Sequence, residues 1–146
     1  MRENQALLDL QPRDRAEDPL DIVVPFTNPR ETIAALRAAS WLGEGLKARI
    51  RVVRVQVVPY PLDTNHPHIP VSFLRNQMSA LTRGFDVDCE VRLAREFEQG
   101  LKRAISARSI TVLASKKRPW PTRVERLAAR LRKDGSHVFV VSEQNA

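Results

Sequence analysis

Five short apolar runs, separated at regular intervals by segments with helix punctuation, constrain this chain more than any other feature. They are DIVVPF (21–26), RIRVVRVQVV (49–58), DVDCEVRL (86–93), SITVLAS (109–115) and HVFVV (137–141). Continuous apolar or β-branched runs of this length are the pattern of strands buried on both faces. The third run instead alternates, with Val87, Cys89, Val91 and Leu93 on one side, and so predicts a strand at a sheet edge.

The segments between the runs carry start and stop signals. Asn28, Pro29 and Glu31 supply an N-cap, a first-turn proline and a carboxylate at the third helical position, which predicts a helix from Pro29 to about Leu46. Its apolar stripe is Ile33, Leu36, Ala39, Gly43 and Leu46. Pro59 and Pro61 end the second run and open a loop to Pro70, after which Ser72 is expected to cap a helix that Gly84 terminates. A short helix is expected from Glu96 to about Ser106. Thr122 and Glu125 form a capping box for the last helix. Val124, Leu127, Ala128 and Leu131 then fall at i, i+3, i+4 and i+7, so Arg123, Arg126, Arg130 and Lys133 point away from the core. Asp134 and Gly135 turn the chain into the last run.

Five strands alternating with four helices imply a doubly wound α/β domain, a five-stranded parallel sheet with right-handed crossovers and helices on both faces. That domain occupies residues 21–146. Residues 1–20, with Ala6, Leu7, Leu8 and Leu10 as their only apolar cluster, read as a flexible N-terminal tail or linker.

The net charge is +7, from 24 Lys and Arg against 17 Asp and Glu, which makes polyanions plausible partners: nucleic acid, phosphorylated metabolites or anionic head groups. A single cysteine and the lack of a signal-like start point to the cytoplasm. The longest apolar runs are too short to cross a bilayer, so no membrane insertion is expected.

In a doubly wound sheet the ligand crevice lies beyond the carboxyl ends of the strands, where strand order reverses. The candidate nucleotide- or anion-binding residues are therefore Pro25, Phe26, Thr27 and Asn28 after the first strand and Val57 at the end of the second. Ala114, Ser115, Lys116, Lys117 and Arg118 follow the fourth, and Thr122 opens the last helix. The fourth-strand loop contains no glycine. Backbone N–H groups turn toward a phosphate most readily where glycines let the chain approach, so backbone cradling of a triphosphate is not expected. Ser115, Lys116, Lys117 and Arg118 would offer a hydroxyl and three cations near the positive end of the last helix. The same composition also describes a solvated, solubilising loop, and composition does not choose between the two.

Other signals point to bland roles. His66 and His68 lack a recognisable set of further ligands and read as exposed loop histidines. Trp41 reads as packing at a helix border, Trp120 as covering the edge of its own core or else stacking on a base, and Cys89 as an inert buried thiol. No Ser-His-Asp grouping, paired carboxylates or Walker loop can be assembled, so the chain is read as non-enzymatic.

The strand and helix count, with DIVVPFTNP, RVVRVQVVPYP, VDCEVRLAREFEQGLKRAI and SITVLAS in order, resembles a universal stress protein domain over about residues 21–142. The resemblance implies a sheet ordered 3-2-1-4-5, a homodimer through the last strand (137–141), and a regulatory or stress-response role carried by protein contacts. In that family's nucleotide-binding branch a Val-Asp pair ends the first strand and a Gly-x2-Gly-x9-Gly-Ser/Thr loop follows the fourth. Phe26 and Thr27 stand at the pair here, Ala114 and Lys117 at the first two glycines, and Thr122 at the closing hydroxyl. The implied member lacks typical ATP binding and has at most a weakly bound nucleotide or phosphate as ligand. Two alternatives stay open. One is a nucleic-acid or nucleotide (polyanion) binding protein using the basic loop and Arg123, Arg126, Arg130 and Lys133. The other is an enzyme on an adenine nucleotide α-hydrolase-like scaffold, against which the missing aspartate and glycines count.

Overall fold

A computed structural model of the chain describes residues 20–106 and 108–143. The tail expected at residues 1–20 lies, apart from Leu20, outside the described residues. The elements are β1 (Asp21–Pro25), α1 (Pro29–Leu46), β2 (Arg49–Val57), α2 (Val71–Leu81), β3 (Asp88–Ala94), α3 (Phe97–Ala104), β4 (Ser109–Ser115), α4 (Arg123–Lys133) and β5 (His137–Ser142). They form one five-stranded sheet in the order β3-β2-β1-β4-β5, parallel throughout. Strand order reverses between β1 and β4.

The central strands are apolar on both faces because both faces are covered. Ile22, Val24, Val52, Val112 and Ala114 pack under α1 and α2 with Leu36, Ala39 and Met78. Val23, Val53, Leu113 and Val138 point the other way, onto Leu101 of α3 and Val124, Leu127, Ala128 and Leu131 of α4. Gly100 lets α3 approach β2 closely: a Cβ there would stand 2.7 Å from Val55 Cγ1 and 2.9 Å from Ala94 Cβ.

Several local expectations are corrected. Leu46 is 48% exposed: Gly43, the last buried residue of α1, packs on Ile50 and Ile22, and the helix ends at Lys47, whose left-handed backbone (φ 51°) closes it on Gly43. Ser72 is not a cap. Pro70 occupies the N-cap position without a side-chain hydrogen bond, its missing N–H being one the helix start would leave unpaired anyway. Thr82 closes α2, donating its hydroxyl to Met78 O at 2.8 Å, and Gly84 (φ 92°) turns the chain beyond it. Trp41 is 79% exposed rather than packed. β3 sits at the expected edge but starts at Asp88, and its alternation is blurred because Glu90 and Arg92 are held half-buried by ion pairs.

A charge network fastens the N-terminal ends of the strands. Arg51 of β2 donates to Asp21 of β1 at 2.7 and 3.0 Å, to Glu90 of β3 at 2.6 Å and to Ala104 O at 2.7 Å. Ser109 of β4 donates its hydroxyl to Asp21 at 2.9 Å. Burial pushes the Asp21 carboxyl up, but the hydrogen bonds from Arg51 and Ser109 and the charges of Arg51 and Arg49 outweigh it and hold the group below its ordinary value.

Candidate functional site

The C-terminal ends of the strands open into a cleft of about 730 Å³ at the β1/β4 reversal. β1 runs into Phe26, Thr27 and Asn28, whose conformation is fixed locally. The Phe26 N–H donates to Val53 O at 2.8 Å, the Thr27 N–H to Thr32 Oγ1 at 3.2 Å, and Asn28 Oδ1 accepts from the Glu31 N–H at 2.9 Å. β2 contributes Arg54 and Gln56. The Arg54 guanidinium lies 4.6 Å from the centre of the Phe26 ring and donates to Gln77 Oε1 at 3.2 Å. Lys116, Arg118 and Thr122 come from the β4–α4 loop, and Arg123, Arg126 and Arg130 from one face of α4.

Six cations thus line the cleft against one carboxylate, Glu31. They are not equally engaged. Arg130 donates to the Glu98 carboxylate of α3, and Arg126 to Pro121 O at 3.2 Å. The Lys116, Arg118 and Arg123 side chains make no hydrogen bond or ion pair among the described residues.

The start of α4 is partly occupied by its own residues. Thr122 Oγ1 accepts from the Glu125 N–H at 3.2 Å and donates to Glu125 Oε1 at 3.1 Å, while the Thr122 N–H donates to the same carboxylate oxygen at 3.3 Å. The Ser115 hydroxyl lies 2.5 Å from Thr122 Oγ1, tying the end of β4 to the cap. The full charges that line this cleft are those of side chains.

The expected site residues separate accordingly. Phe26, Thr27, Asn28, Lys116, Arg118 and Thr122 meet at the cleft. Pro25 and Ala114 are buried strand residues, and Ser115 is buried with its hydroxyl committed to Thr122. Val57 ends β2 outside the cleft lining, and Lys117 faces a second hollow between α4 and β5. Trp120 does not cover the core edge: Pro119 and Pro121 flank it and leave it 61% exposed. Arg54, Gln56 and Phe97 line the cleft and escaped the sequence reading. The signal for the first two was polar residues at alternate positions 54 and 56 within an apolar run, which mark a strand face open near its end.

His66 and His68 are exposed, with His66 Nδ1 3.6 Å from an Asp63 carboxylate oxygen. Among the described residues no three potential metal ligands cluster, and no helix is long and apolar enough to cross a membrane. Cys89 is half-buried, its Sγ 3.5 Å from Thr82 Oγ1.

No family model matches the chain, and no curated protein matches its sequence. Solved structures do match. A universal stress protein crystallised in complex with cAMP is 12% identical, with a TM-score of 0.55 over 86% of this chain and 98% of that one. A protein of the universal stress protein family from Burkholderia pseudomallei is 21% identical, with a TM-score of 0.53 over 84% of this chain and 95% of that one. At these identities the likeness is one of architecture, and the chain has a universal stress protein-like fold over most of its length.

Proposed function

We propose that this chain is a non-catalytic binding module of universal stress type that takes a phosphorylated anion in the cleft by charge, without selecting a base. The observation that carries the reading is the set of six cations facing one carboxylate, three of them without a partner among the described residues. Arginine forks suit phosphate because they donate two parallel hydrogen bonds to it. Thr27 offers no carboxylate to an adenine, and its backbone N–H is already bonded to Thr32. The cleft lining includes no histidine or cysteine and a single carboxylate, so no paired acid and base stands there. That one structural neighbour was crystallised with cAMP, a phosphorylated ligand, is in keeping with the reading.

Calorimetry with ATP, GTP and inorganic triphosphate at two salt concentrations tests it. ATP and GTP should bind alike, and affinity should fall as salt rises, because exposed charges are screened over about 10 Å at 0.1 M ionic strength. Arg118→Ala/Arg123→Ala should weaken binding by about tenfold or more, the worth of one charged hydrogen bond. Lys117→Ala, which alters the other hollow, should change little. Tight, salt-insensitive binding that prefers ATP would overturn the reading.

Two copies of the chain also pair through β5 in this proposal. β5 is an edge strand bonded on one side only, and Phe139 on it is 52% exposed, an association hazard if left bare. Sedimentation should give a dimer at micromolar concentration and a monomer for Phe139→Glu. A wild-type monomer would remove this part of the reading and leave the cleft untouched.

A further inference from the structure

Resting on the anion-binding reading, we propose that the cleft measures the length of a linear phosphate chain, with an oligophosphate of three or more units, free or carried by a nucleoside, as its ligand class. The cations are arranged as a row. Arg123, Arg126 and Arg130 stand at i, i+3 and i+7 on one face of α4 and so spread over roughly 10 Å of helix axis at 1.5 Å per residue. Lys116 and Arg118, from the loop before the helix, line the same cleft.

The row is also graded. At the loop end Lys116, Arg118 and Arg123 have no partner among the described residues, so a small anion finds its best site there. Arg126 reaches back toward the loop to Pro121 O, and at the far end Arg130 is held by Glu98. A single phosphate seated among the loop cations leaves the Arg130–Glu98 pair in place. A longer chain spans the gap and replaces Glu98 with its own oxygens, gaining a bidentate partner with each arginine.

The row has an end, which favours a short chain over a polymer. Beyond Arg130 the α3–α4 seam carries the carboxylates of Glu98 and Asp134, the latter 2.6 Å from Lys102. A nucleic-acid backbone leaving the cleft in that direction would run over both acids. The Asn28 side-chain oxygen at the cleft is already bonded to the Glu31 N–H.

The test titrates the full chain, at matched ionic strength, with inorganic phosphate, diphosphate, triphosphate and tetraphosphate, with ATP and GTP, and with a short single-stranded RNA. Affinity is expected to rise by about tenfold or more from diphosphate to tetraphosphate, the worth of one further charged hydrogen bond. ATP and GTP matching inorganic triphosphate would show that the chain and not the nucleoside is read; a clear preference for either nucleotide overturns the proposal. Arg126→Ala/Arg130→Ala should flatten the rise, weakening tetraphosphate binding more than diphosphate binding, and Glu98→Gln, which frees Arg130, should steepen it. Arg37→Ala/Arg83→Ala removes the same charge elsewhere and should leave the series unchanged. If the double alanine variant fails to fold, Arg126→Gln and Glu98→Gln singly carry the test. A rise that survives loss of Arg126 and Arg130, or no rise at all while short phosphates still bind, overturns the length reading alone. RNA binding tighter than tetraphosphate overturns it in favour of a nucleic-acid surface. Absence of binding by every anion overturns both this inference and the function on which it rests.

Discussion

At the N-terminal ends of the strands one guanidinium, Arg51, is held by two carboxylates and a carbonyl, with its side chain and that of Asp21 each only 13% exposed. At the C-terminal ends six cations share one cleft with a single carboxylate, and three of them have no partner among the described residues. The residue types are the same and the physics differs. Charges that are paired, hydrogen-bonded and half-buried join strands to one another, and removing one partner strands the other. Unpaired exposed charges contribute almost nothing to stability and remain free for a ligand. The two ends should therefore respond in opposite ways to the loss of a single charge.

The largest effect is expected at the closed end. Asp21→Ala should lower unfolding free energy by about 3 kcal/mol, the low end for breaking a buried pair, since Glu90 still holds Arg51. Denaturant unfolding measures it, and a loss below that of an ordinary surface change would mean that the network is decoration. Acid should act through the same residue. The folded carboxyl is held below its unfolded value of about 3.9, so its stabilisation is complete above that pH and is lost as pH falls through the folded value. Asp21→Asn should show a shallower loss of stability than wild type below about pH 4.

A smaller effect of opposite sign is expected at Thr111, two residues along β4 from Ser109. Its hydroxyl is fully buried with no partner among the described residues, whereas that of Ser109 donates to Asp21. Thr111→Val should raise stability by about 1 kcal/mol, the cost of an unsatisfied buried hydroxyl, and Ser109→Ala should lower it. If both substitutions destabilise, pairing is not what separates the two sites. At the open end, Arg118→Ala and Arg123→Ala should each change stability by less than about 0.5 kcal/mol, as surface substitutions do, even where they weaken anion binding.

Architecture was legible because it is written locally. The apolar runs at 22–24 and 112–114 can be buried on both faces only at the centre of a sheet, and the Asn28 and Thr122 caps announce their helices in four residues each. Errors arose where tertiary geometry overrides a local signal. The apolar stripe of α1 continues to Leu46, but burial on the sheet stops at Gly43. Ser72 has good cap chemistry, yet Pro70 allows the helix to start before it. For the cleft, Thr27, Lys116, Arg118 and Thr122 follow from topology, since loops after strands flanking a reversal must meet. Arg54 and Phe97 lie on a strand face and a distant helix, and only the packed fold brings them to those loops. That Ser115 is spent on Thr122 depends on how seven residues of loop fold back, which composition does not encode.

The capping box at Thr122 and Glu125 carries one more consequence, for the entropy of recognition. With the Thr122 and Glu125 N–H groups already bonded, an anion held by the cations of this cleft must immobilise a long side chain at each such contact, at a cost of up to about 2 kcal/mol of lost rotamer freedom for Lys or Arg. A rigid glycine loop meets that cost once, during folding. Here it recurs with every arginine recruited, so each contact returns only a small surplus. Occupancy should consequently change gradually with ligand charge and ionic strength, as in a rheostat, and lack the sharp threshold of a preorganised pocket.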